Sequence, residues 1–105
     1  MVFEEIPFTF TTFVTSVDME LYEHEGEDRR DVRPFVDEVI EESTDRDNID
    51  LKEFLDYILN ISLTDKQMEA LWQSAGPMYQ FSLGLHRSVF AYARDRISEK
   101  YPERE

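Results

Sequence analysis

The segment Asp50-Leu51-Lys52-Glu53-Phe54-Leu55-Asp56-Tyr57-Ile58-Leu59 decides the character of this chain. Leu51, Phe54, Leu55, Ile58 and Leu59 recur at spacings of three and four, with charged residues between them. At 3.6 residues per turn that pattern gathers the apolar side chains on one helical face. Asp50 is the expected N-cap, with Glu53 three residues on, a capping box in which Asp is the cap. The polar run Ser43-Thr44-Asp45-Arg46-Asp47-Asn48-Ile49 before it reads as a loop.

Working toward the C-terminus, Thr64-Asp65-Lys66-Gln67 matches a capping box, with Met68, Leu71 and Trp72 following at helical spacing. Gly76-Pro77 ends that helix, because Gly suits the position past the last turn and Pro cannot continue it. A last helix is predicted over about 83–100, with Leu85, Val89, Phe90, Ala93 and Ile97 as its stripe and Arg87, Arg94, Arg96 and Lys100 outside. Its late cations complement the helix dipole.

Working toward the N-terminus, Asp31 is expected to cap a helix over roughly 32–42 that buries Val32, Phe35, Val36, Val39 and Ile40. Pro34 is tolerable within its first turn. Residues 23–31 hold no apolar side chain and read as a solvated loop around Gly26. Phe10, Phe13, Val14, Val17 and Leu21 predict a helix over 8–23 that starts after Pro7. The β-branched run from Thr9 to Thr15 lowers helix propensity, so a strand over residues 8–14 is the alternative. These segments predict an all-α fold: a compact single-domain bundle of about five helices spanning 1–105, with room for short N-terminal strands.

Composition bounds the function. The chain has 105 residues, 41% of them hydrophobic, which suits one modest core and excludes a disordered acidic tail. It has no cysteine, so disulfides and thiolate metal sites are excluded, and a cytoplasmic location is expected. Neither a secretory signal nor an apolar run approaching the roughly 18 residues of a membrane span is legible. Net charge is −13, and residues 1–50 hold 16 acidic against 4 basic side chains. Such a surface repels nucleic acid and anionic membrane and attracts a basic partner, although acidity also serves simple solubility.

Catalytic constellations are not legible. His24 and His86 have no second histidine at the fourth position on, so neither predicts a metal site. The segment from Asp45 fails as a calcium loop, because its fifth position is Ile49 and its sixth is Asp50. The acid pairs Glu23/Glu25, Asp37/Glu38 and Glu41/Glu42 fall on polar faces, where acid–base chemistry has no pocket to perturb a pKa. No nucleophile elbow, phosphate loop or dinucleotide fingerprint is present, and no cofactor is expected. Met78-Tyr79-Gln80-Phe81 puts two aromatics on a short connection, either packed over the bundle end or forming a contact patch.

The order of features resembles a family. Leu63 to Trp72, then Ser74-Ala75-Gly76, an aromatic segment and a closing helix through Arg94-Asp95-Arg96-Ile97 are similar to small immunity proteins of bacterial contact-dependent growth inhibition systems. The Leu51 to Leu59 segment fits the family's leucine-rich helix, and Phe13 to Asp18 its early aromatic segment; Met19 stands where the family usually has Trp. The resemblance spans residues 13–97. It implies a protein that binds the toxic C-terminal domain of a cognate effector in the producing cell and blocks it, many such toxins being basic nucleases. With the charge of the first half, it nominates Asp18, Glu20, Glu23, Glu25, Glu27, Asp28 and Asp31 as the contact face, with Tyr79 and Phe81 beside it. An acidic regulatory or adaptor protein, or a mimic of nucleic acid, is the other binding class, and a small enzyme the remaining one.

Overall fold

Periodicity wins over local propensity in the N-terminal helix. A computed structural model describes residues 6–23, 32–77 and 84–101 of the protein. Among them five helices form and no strand: α1 (Phe8–Glu23), α2 (Arg33–Glu42), α3 (Asp45–Asn60), α4 (Asp65–Gln73) and α5 (Leu85–Lys100). The strand alternative at the N-terminus does not form. A strand would alternate Phe10 with Thr11 and Thr12 with Phe13, mixing polar and apolar residues on each face. A helix instead gathers Phe10, Phe13, Val14 and Val17 on the buried side and leaves Thr12 and Thr15 exposed. The Pro7 carbonyl accepts the first hydrogen bonds, from the Phe10 and Thr11 amides at 3.0 and 3.2 Å.

Two helix starts differ from expectation. The cap of α2 is Val32, which has no side-chain acceptor to offer, and not Asp31, which lies outside the described residues. Pro34 sits in the first turn, as its spacing predicts. α3 begins six residues earlier than the Asp50 cap would have it. Thr44 is the cap, its hydroxyl accepting from the Asp47 amide at 3.2 Å, and Asp45 and Asp47 suit the positive end of the helix dipole. Residues 45–49 of the expected loop are therefore the start of α3, and Ser43 and Thr44 are the caps on either side of the junction. Asn48 hides that turn from a hydrophobicity reading. It is a polar residue in an apolar position, 1% exposed, three residues before Leu51, with its side-chain amide donating to the Ile40 carbonyl at 3.0 Å.

α4 starts as predicted. The Thr64 hydroxyl accepts from the Gln67 amide at 3.1 Å, and the Gln67 side chain accepts from the Thr64 amide at 2.9 Å. Leu63 and Met68 occupy the two hydrophobic-staple positions around this cap, and both are buried. Gly76 closes the helix with φ +70°. In α5 the buried stripe is His86, Val89, Phe90, Ala93 and Ile97. Leu85, expected at the head of that stripe, is instead exposed, because one residue of helix turns it about 100° away from His86.

α5 packs against α2, α3 and α4, and α1 packs against α2 and α3. Phe10 joins the two groups, its ring 5.0 Å from that of Phe54 on α3 and 5.5 Å from that of Phe90 on α5. The radius of gyration, 13.2 Å, is what one compact domain of this length should have, about 13 Å. The protein is a single-domain all-α bundle. No helix among the described residues is long and apolar enough to cross a membrane.

Candidate protein-docking face

α5 carries its cations on the flanks of the buried stripe, where each one meets an acid of a neighbouring helix. Arg87 approaches Asp65 on α4 at 3.6 Å and also donates to the Leu63 carbonyl. Arg94 lies 3.9 Å from Asp56 on α3 and 3.0 Å from Asp95. Arg96 binds Asp37 on α2 at 2.9 Å and Glu99 at 2.7 Å, and Lys100 reaches Glu41 on α2 at 3.4 Å. The Tyr92 hydroxyl donates to Asp37 at 2.7 Å, and the Tyr101 hydroxyl donates to Asp45. Exposed pairs of this kind add little to stability, because water screens them. Their consequence is for the field: the positive charge of α5 is matched inside the bundle.

Negative charge is left over on α2 and α3. Glu38, Glu42, Asp47, Asp50 and Glu53 are exposed, and no cation of the described residues pairs with them. They continue the acidic run that precedes α2 in the sequence.

A groove of about 210 Å³ between α2 and α5 is lined by Asp37, Ile40, Glu41, Arg96, Glu99 and Lys100. Hydrogen bonding to Glu99 and the charge of Asp37 hold Arg96 above its ordinary pKa. Partial desolvation lowers Lys100, but the bond to Glu41, the charge of Glu41 and the nearby Tyr101 hydroxyl together outweigh it and the net shift is upward. Burial and the bond to Asp37 raise Tyr92, so it remains a phenol that donates. The groove's cations are thus held by its own acids. His86 is fully buried beside Trp72, ring centroids 6.4 Å apart, and burial pushes its pKa down against the upward pull of Glu69 and Asp65. It is a neutral member of the core at pH 7. Among the described residues no group of three His, Asp or Glu side chains converges on a point where a metal could sit.

Of the residues nominated from the sequence, Asp18, Glu20 and Glu23 are described, and all three lie on α1. Asp18 is on α1 but only 8% exposed, so its carboxylate is covered. Glu20 is half-buried and Glu23 is the last residue of α1. Glu25, Glu27, Asp28 and Asp31, with Tyr79 and Phe81, lie outside the described residues. The open acids of α2 and α3 were missed. Their signal lies in the complementary face of each amphipathic helix, except that Asp47 falls in the polar stretch 43–49, whose composition is that of a loop.

The fold and surface define a class: a small acidic helix bundle with unmatched negative charge on α2 and α3. Compared with family models, curated proteins and solved structures, the chain matches none of them.

Proposed function

We propose that the protein acts by binding a basic protein partner, and that it is the immunity protein of a toxin–immunity pair. One observation carries the reading. The cations of α5 are matched within the bundle, whereas Glu38, Glu42, Asp47, Asp50 and Glu53 stand exposed with no described cation beside them. Unmatched charge of one sign speeds association with an oppositely charged partner and sharpens the choice of partner. The likeness of residues 13–97 to immunity proteins supplies the partner's kind: the basic C-terminal toxin domain of an effector, met in the cytoplasm of the producing cell. Binding would cover the toxin's active site or block its substrate surface.

The test begins with the reading frame immediately upstream of the gene. A long frame ending in a basic C-terminal domain identifies the partner, and that domain is then expressed with and without this protein. The expected result is growth arrest by the domain alone, rescue on co-expression and co-purification of the two chains. Lys at Glu38, Glu42, Asp47, Asp50 and Glu53 together slows association. Rescue without a complex refutes the binding mechanism, and capture of several nucleic-acid-binding proteins instead of one toxin replaces it with a nucleic-acid mimic.

A further inference from the structure

α3 is buried along one side by Asn48, Leu51, Phe54, Leu55 and Ile58. At about 100° per residue the opposite side collects Arg46, Ile49, Asp50, Glu53, Tyr57 and Asn60. All six are exposed. Ile49 and Tyr57 are 45% and 53% exposed, although residues of their size normally contribute to the core. Eight positions apart, they lie about 12 Å along the axis, the reach of two turns of a partner helix. Asp50 and Glu53 sit between them. Asp56, further along, is satisfied within the chain by Lys52 at 2.8 Å and Arg94 at 3.9 Å. No cation of the described residues does the same for Asp50 or Glu53.

We propose that this face of α3 docks a cationic amphipathic helix of a partner protein. The partner's apolar side chains sit on Ile49 and Tyr57, and its Lys or Arg side chains meet Asp50 and Glu53. This rests on the reading of the protein as a binder of a basic protein, and names where and in what form that partner engages. Charge selects the occupant. A second copy of this chain carries −13 and would set acids against acids. A cationic helix gains both apolar contact and charge complementarity along the same stripe. Arg46, beside Ile49, places one positive charge at the N-terminal end and so turns the partner's cations toward the Asp50–Glu53 side.

The test uses the full chain and a synthetic helical peptide of about 15 residues, with Leu at i, i+4 and i+7 and Lys on the flanks. Controls are a scrambled peptide of equal composition and one with Glu for Lys. Binding is measured by fluorescence anisotropy in about 0.15 M salt, and the footprint by amide chemical shifts. The amphipathic peptide should bind about tenfold or more tighter than the scrambled one, with shifts concentrated between residues 46 and 60. The pairs Ile49→Ser/Tyr57→Ser and Asp50→Lys/Glu53→Lys should each weaken binding about tenfold. Glu38→Lys/Glu42→Lys on α2 should weaken it less than about threefold, since it changes only the general field. These surface changes should leave the circular dichroism of the bundle unaltered. Equal affinity for the scrambled peptide, a footprint elsewhere, or a dimer broken by Tyr57→Ser overturns the docking face. A cognate basic partner that binds the α3 variants undiminished overturns the face and leaves the broader function standing. A chain that binds no basic partner overturns both.

Discussion

Asn48→Asp is the substitution that probes the bundle most sharply. The two side chains have nearly the same shape, so packing is preserved and only one group changes: an N–H donor becomes a carboxylate oxygen. At 1% exposure that oxygen has no water to turn to, and at about the 3.0 Å that separates Asn48 from the Ile40 carbonyl it faces another acceptor. The hydrogen bond is lost, worth about 1 kcal/mol net. The larger cost is a buried charge whose neighbouring hydroxyl, that of Tyr101 at 3.4 Å from the Asn48 nitrogen, already donates to Asp45, which brings the total to about 3 kcal/mol. A chain of this length has roughly 5–15 kcal/mol in all, so a large share of its stability is at stake. Urea denaturation at pH 7 should show the loss as a midpoint lower by about 1–3 M. The sign with pH is also set. Burial raises the new carboxyl's folded pKa above its unfolded value, so the protonated form can donate, and stability relative to the parent recovers as pH falls through that raised value. Asn48→Ala should lose less and show no such recovery. An Asn48→Asp protein within about 0.5 kcal/mol of the parent at pH 7 would refute the reasoning. Residue 48 would then face water, and α3 would begin at Asp50 after all.

Three further outcomes are expected. Thr64→Ala and Gln67→Ala should each cost about 1 kcal/mol by thermal unfolding, and their double-mutant cycle should be non-additive because the two side chains cap one another. Phe10→Ala removes the ring that bridges Phe54 and Phe90 and should lose about 3–5 kcal/mol; a loss below about 1 kcal/mol would mean that α1 is not seated as described. His86 has a folded pKa below its unfolded value near 6.5, so the unfolded chain binds the proton first. The stability it contributes is present above pH 6.5 and is lost as pH falls through the folded value. A denaturation series from pH 8 to pH 5 should therefore decline more steeply for the parent than for His86→Phe, and parallel curves would count against a buried neutral imidazole.

Where stability depends on one helix's own periodicity, the sequence was sufficient, and so it was for the cap of α4, though not for those of α2 and α3. Leu51, Phe54, Leu55 and Ile58 repeat at helical spacing and are buried. Thr64 and Gln67 form their reciprocal cap, and the five helices follow from five such patterns. These signals are local, set by 3.6 residues per turn and by unsatisfied amides at a helix start. Tertiary structure decided what depends on a neighbour. Asn48 and His86 are polar by type yet lie in the core, and for Asn48 the reason is a carbonyl on another helix that accepts its proton. Asp18, nominated for a contact face, is covered once α1 docks. The total of −13 is a property of composition, but which acids remain open is not. It depends on where α5 lies, because a cation reaches Asp37, Glu41 or Asp65 only when the helices that bear them have packed together.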